Sequence, residues 1–378
     1  MNKKIFLLLL FIFSCVLSKA DDNDYYKETP RDGDKGASIA QQLNLEKSGN
    51  KKTDWAVDVA SRIQVHGYAQ GGYDFQNVDG KITNSFKFRR AYFWINGQLT
   101  NRWSVLFMME LGGIVHEFYT DFRVTNNNLM TVRLGAFKHS FTYENPLSPT
   151  AVEAIDVCSE SVTYLAGSGT DPLQGTTYGR DLGLTIFGET NNKKFRYEVS
   201  LMNGQGIGRK DLNNQKDVIL NLQYRPIQGL NLVASGYLGT GCAVVGNTIF
   251  NPTINEGDNY QRNRLSLGFD YKSPHVKVHG EYLWGKDAAV KSKGVYITGA
   301  VPIFKDFEFV GSYDYFNFNT DMNYELHKFI AGFQYWFFQK CRLQAQYVYR
   351  SANTDYKTFF DKTTGCHQIL CQLQFKFN

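Results

Sequence analysis

Between His139 and Gly179 the chain carries five carboxylates, Glu144, Glu153, Asp156, Glu160 and Asp171, and neither lysine nor arginine. Acids gathered without a base attract cations and repel anions when they ring a water path. They can equally be tied to arginines brought in from elsewhere in the fold, with Arg180 at the exit of the stretch and Arg133 one strand before it as the natural anchors. The stretch has no recognisable calcium-loop spacing, so no metal is assigned to it.

Other chemistry-bearing patterns are weaker. His275 and His279 lie four apart, which on a strand separates them by about 13 Å and prevents them from sharing one ion. Zinc would need further ligands and no Lys277 between them. His116 and His139 have no partners in sequence. Gly204-Gln205-Gly206-Ile207-Gly208 resembles a phosphate-cradling loop, but polar Arg209 to Lys216 leads into another strand where such a loop needs a helix. No serine stands recognisably beside a histidine and an acid, although a triad dispersed along the chain is left open. No catalytic residue and no cofactor are expected.

The elements that must position the acids have period two. From Ser61 onward, Ile63, Val65, Gly67, Ala69, Gly71, Tyr73 and Phe75 share one face of a strand, and Gln64, His66, Tyr68, Gln70, Gly72 and Asp74 share the other. One such strand also suits a soluble sandwich. Here the split recurs down the chain, and the polar faces carry charge at mid-strand, which a closed barrel would turn to a wet lumen. The inward bases are Arg90, Arg123, Arg133, Arg196, Arg262, Arg264, Arg342 and Arg350. The inward acids are Glu110, Glu117, Asp121, Glu198, Asp270 and Glu281.

Strands are expected near 61–76, 84–99, 102–112, 115–125, 129–138, 180–190, 193–203 and 214–225, then 229–240, 258–272, 275–286, 293–302, 306–318, 323–338, 341–351 and 366–378. Turns after even-numbered strands are short, as at Thr100-Asn101, Asn191-Asn192 and Ser273-Pro274, and those after odd-numbered strands are mostly long. Long-short alternation over about sixteen strands marks a transmembrane antiparallel β-barrel of the bacterial outer membrane, with tight periplasmic turns. The stretch from His139 is then its third long loop, folded inward to narrow the lumen.

Composition agrees. The chain has 378 residues with 29 Phe, 23 Tyr and 34 Gly but only 8 Pro, and outward aromatics fall into two girdles. Tyr73, Phe75, Tyr282, Trp284, Tyr313, Tyr315, Tyr347 and Tyr349 form the outer one; Trp103, Tyr224, Tyr271, Tyr335, Phe337, Phe375 and Phe377 form the inner. Lys3 and Lys4 followed by apolar Ile5 to Leu17 read as a signal peptide over residues 1–20, cleaved after Ala20; a lipoprotein site at Cys15 is disfavoured by bulky Phe13. Its removal takes away Lys3, Lys4 and Lys19 and no acid, so 41 basic against 36 acidic residues become 38 against 36. Near-neutrality gives no reason to expect a nucleic-acid partner. Residues 21–60 read as a flexible periplasmic lead-in, and residues 61–378 as the barrel. Cys158, Cys242, Cys341, Cys366 and Cys371 are odd in number and lack paired spacing, so no disulfide framework is expected.

Four stretches resemble the phosphate-selective porin O and P family: Phe88-Arg89-Arg90-Ala91-Tyr92, Leu134-Gly135-Ala136-Phe137-Lys138, Gly179-Arg180-Asp181-Leu182-Gly183-Leu184 and Met202-Asn203-Gly204-Gln205-Gly206. The resemblance covers residues 60–225 in motif and the remainder in strand pattern. It implies a sixteen-stranded channel, commonly a homotrimer, whose third long loop narrows the pore and whose arginines draw anions. The loop here departs from that pattern in holding acids only, which predicts a porin passing small ions or hydrophilic solutes by diffusion and argues against phosphate. The expected partners are outer-membrane lipid and the outer-membrane assembly machinery, to which the alternating terminus Ile369 to Asn378 is suited. A structural or adhesive barrel with a blocked lumen, and an outer-membrane hydrolase, are the alternatives.

Overall fold

The computed structural model describes residues 37–78, 80–171, 173–246, 251–338, 340–353 and 365–377. The expected signal peptide, residues 21–36 and most of the loop from Ser351 to Gly365 lie outside the described residues. The chain forms β1 (Ile63–Val78), β2 (Lys81–Gln98), β3 (Trp103–Glu110), β4 (Val115–Arg123), β5 (Thr131–Lys138), β6 (Arg180–Glu189), β7 (Phe195–Met202) and β8 (Asp217–Tyr224). There follow β9 (Leu230–Cys242), β10 (Asn259–Lys272), β11 (Lys277–Asp287), β12 (Val290–Phe304), β13 (Phe307–Asn317), β14 (Glu325–Phe338), β15 (Cys341–Ala352) and β16 (Cys366–Phe377). Every strand pairs antiparallel with its neighbours in sequence, and β1 pairs with β16, so these strands close into a barrel.

Closure leaves no sheet edge, which a wall surrounded by lipid requires because nothing there can bond a free N–H or C=O. The pleat then sorts the side chains. Outward Leu267 and Leu343 are each 50% exposed, whereas inward Gln374 and Arg342 are 0% and 1% exposed. Such an arrangement, apolar out and polar in, is the inverse of a soluble protein. Among the described residues no helix is long and apolar enough to cross a membrane. At the seam Gly72 faces Cys371 so closely that a Cβ on it would lie 1.8 Å from the Cys371 carbonyl oxygen. No other residue fits that ladder position without moving the strands apart.

Two connections differ from expectation. The links β1–β2 and β11–β12, both after odd-numbered strands, are tight turns, because alternation in Lys81 to Ser85 and Val290 to Ser292 carries the strands further. In the second, Ala288 adopts φ 55°, the left-handed geometry of a two-residue hairpin. Register shifts at Gln70/Gly71, Met108/Met109, Pro302/Phe304 and Trp336/Phe338 are β-bulges. The one at Pro302 removes a ladder donor where the chain is about to turn.

The described part of the lead-in holds two short helices. Ser38 caps α1 (Ile39–Gln42) in a reciprocal capping box with Gln41 and bridges to Gln64 of β1. Then α2 (Lys51–Ser61) runs into the first strand.

Candidate channel and its lumen loop

Leaving β5 at Lys138, the chain enters the barrel and returns as β6 at Arg180. The intervening loop has structure of its own: α3 (Glu160–Leu165), capped by the Ser159 hydroxyl, and a small hairpin pairing Thr170–Asp171 with Gly175–Thr176. Phe141, Ser148, Val162 and Leu165 are all fully buried. Irregular backbone at membrane depth survives only where protein or water answers its polar groups, and here the wall answers them.

Residue by residue, the answering groups are inward side chains. The Ser140 carbonyl accepts from Asn221 at 2.8 Å, and the Tyr143 and Glu144 amides both donate to one Glu281 oxygen at 2.9 Å. The Pro149 carbonyl takes Gln70 at 3.2 Å, and the Val152 carbonyl takes Arg342 at 2.7 Å. Gln344 and Gln346 donate to the Glu153 carbonyl at 2.9 and 2.7 Å, and Gln346 accepts from the Ile155 amide at 2.9 Å. Asp314 receives the Glu160 amide at 2.7 Å, and Arg264 donates to the Leu165 carbonyl. At Gly294 of β12 a Cβ would lie 2.5 Å from the Ser161 Cβ, so α3 rests on bare backbone there. The loop is thus laid against β8 to β16 and the adjoining β1.

The same wall takes up the acids. Asp156 pairs with Arg350, and Glu160 sits 3.3 Å from Lys328 and 3.4 Å from Arg350. Asp171 pairs with Arg262 and has Arg264 at 3.7 Å. Glu144 and Glu153 flank His279, each at 3.8 Å. Burial pushes the Asp156 carboxyl up, but Arg350 and then Lys328 outweigh it and hold the group below its ordinary value. Burial also pushes the Cys158 thiol up to about 12. The loop acids are therefore not tied to Arg180 and Arg133, which pair within the wall with Glu117 at 2.9 Å and Asp121 at 2.7 Å.

On β2 to β5 and β7 the lumen looks different. Arg133 lies 3.8 Å over the Tyr119 ring, and Arg196 is 3.7 Å from Glu198. Arg90 and Arg123 are half-buried and have no charged or hydrogen-bonding partner among the described residues. Arg342 has no acid either; Gln334 and the loop's carbonyl hold it, with its guanidinium 5.0 Å over Trp336. The remaining sequence-marked bases, Arg180, Arg262, Arg264 and Arg350, are all buried in ion pairs.

Residues that hold the loop and that the sequence did not single out are Lys328, Asp314, Gln344, Gln346 and Gln374; their one signal was an inward position in the alternation. The glycine-rich stretch has a structural answer. Gly204 and Gly206 adopt φ 83° and 80°, and their amides donate to the Asp181 carboxylate. Two of the four family-like motifs thereby meet, and the nest that resembles a phosphate cradle is filled by the chain's own carboxylate. Among the described residues no group of His, Cys, Asp and Glu has the arrangement of a metal site.

The closed sixteen-stranded antiparallel barrel is a fold shared with outer-membrane porins. Among solved structures, the anion-selective porin from Comamonas acidovorans superposes with a TM-score of 0.59 at 13% identity, over 83% of this chain and 100% of that one. OmpF of Salmonella typhi, in complex with daunomycin, gives a TM-score of 0.60 at 12% identity, over 83% and 97%. OmpT, an outer membrane protein of Vibrio cholerae in its trimer form, gives 0.57 at 13%, over 83% and 99%. No family model matches the sequence, and no curated protein does.

Proposed function

We propose that the chain is a porin of the bacterial outer membrane, a homotrimer without cofactor or catalysis, through which small ions and hydrophilic solutes diffuse down their gradients. The apolar outer wall, the polar lumen and the fold shared with porins support this reading. The filter we assign to it is the reverse of what the bare list of loop acids implied. With Glu144, Glu153, Asp156, Glu160 and Asp171 each set against a wall base, Arg90 and Arg123 are the half-buried inward bases left without an acid partner among the described residues. That observation carries the proposal of a weak anion preference, with phosphate among the anions admitted.

Conductance and reversal potential of the purified protein in a planar bilayer under a KCl gradient test it. Steady conductance with an anion-selective reversal potential is expected. Cation selectivity would return the filter to the acidic loop. A folded protein without conductance would favour a blocked structural or adhesive barrel, a reading helped by the inward apolar cluster of Trp94, Leu106, Met108 and Phe137, all buried.

A further inference from the structure

On the outer wall near the short-turn end, the barrel has a groove of about 480 Å³ lined by Phe195, Leu222, Tyr224, Leu232, Ala234, Leu267 and Phe269. Its floor is β9, where Ala234 and Gly236 follow each other on the outward face between Leu232 and Leu238. Its banks are set by register: Leu222 and Leu267 stand opposite Ala234 on either side, and Leu220 and Leu265 stand opposite Gly236. A Cβ on Gly236 would touch nothing within 4 Å. The ladder does not require glycine there, so the trough is open space that larger side chains would fill.

Just below Phe195 the turn between β6 and β7 presents Lys193 and Lys194, both exposed, and the Arg225 amide donates to the Lys194 carbonyl at 2.7 Å beneath Tyr224. An apolar trough along the membrane normal, ending at two exposed ammonium groups level with the headgroups, matches one molecule with an acyl chain and a negative headgroup. We infer that this groove is a binding site for an anionic glycerophospholipid of the leaflet at the short-turn end. The inference rests on the reading that the barrel is embedded in a membrane. One acyl chain lies over Ala234 and Gly236 between the leucine banks, and the headgroup phosphate meets Lys193 and Lys194, whose stems reach up to it.

The test is native mass spectrometry of the intact protein released from vesicles of phosphatidylglycerol and phosphatidylcholine in equal parts. Three forms are compared: wild type, a groove-filled Ala234→Phe/Gly236→Leu variant, and a Lys193→Glu/Lys194→Glu variant. Wild type is expected to retain phosphatidylglycerol in preference to phosphatidylcholine. Filling the groove should lower retention roughly tenfold, the cost of losing the burial of about two methylenes. The lysine variant should retain both lipids alike. Equal lipid retention by all three forms overturns the site, as does a groove-filled variant that falls from oligomer to monomer, because the groove would then be a contact between copies. Conductance and heat-resistant gel mobility of each form report separately on whether a folded membrane channel is present at all.

Discussion

Two parts of one wall treat the same kind of residue in opposite ways. On β8 to β16, inward Arg262, Arg264, Lys328 and Arg350 are buried against acids, most of them supplied by the loop; on β2 and β4, Arg90 and Arg123 stay half-buried and unpaired. The difference is one of coverage. Where the loop excludes water, a charge without a partner would pay several kcal/mol of desolvation, so Arg262, Lys328 and Arg350 meet loop acids, and Arg342, which has none, is answered instead by Gln334 and the Val152 carbonyl. Where the loop does not cover the wall, a guanidinium can meet water and needs no partner. Carboxylates counted in a loop therefore say little about its selectivity until the bases opposite them are known.

The comparison breaks most sharply at Lys328. Lys328→Met leaves Glu160 and Asp314 buried without their ammonium partner and should destabilise the folded barrel by roughly 3–5 kcal/mol. Urea unfolding in lipid vesicles measures it, and single-channel traces should show larger, noisier conductance as the loop lifts. Glu281→Ala removes the acceptor shared by the Tyr143 and Glu144 amides. It should cost about 2 kcal/mol, the penalty of buried donors left unmet, with the same change in the traces but a smaller shift in the unfolding midpoint. On the uncovered side, Arg90→Glu/Arg123→Glu should move the reversal potential toward cations while stability changes by no more than about 0.5 kcal/mol, as for surface positions. Were the double variant to unfold early instead, the contrast between the two parts would be lost.

The smallest effect concerns acid. Asp156 is held below its ordinary value of 3.8, so its pairing stabilises the folded state above the unfolded-state value and is lost only as pH falls through the lowered one. The contribution of Asp156 to conductance, read as the difference between wild type and Asp156→Asn, should be flat from neutral pH down to about 5 and change only below about 4. A transition near pH 6 would mean that Asp156 is not the group in control.

Strands were legible because alternation is a local property: β6 and β15 begin at Arg180 and Cys341 as the pattern places them. The direction of Arg262, Arg264, Arg342 and Arg350 was legible for the same reason. Their partners were not. Arg350 meets an acid 194 positions away, and that meeting depends on how far around the cylinder the loop travels, which no spacing encodes. The helix α3 was hidden for a related reason: six residues, Glu160 to Leu165, are too few to show a period and hold together through contacts with the wall. Asp181 in the glycine nest was out of reach because the ligand of that motif is part of the chain.

The cylinder has one joint where the first strand meets the last, and the loop lies across it. Gln70 on one side holds the Pro149 carbonyl, while Lys376 on the other holds the Thr150 hydroxyl at 2.9 Å. Gln70 and Gln374 also bond to each other at 2.8 Å beneath that crossing. The loop therefore works as a clasp: its grip at this place exists only when both ends of the sheet are present, and prising the cylinder open costs the clasp together with the ladder. Occupying the lumen and locking the wall shut are one act of the same few residues.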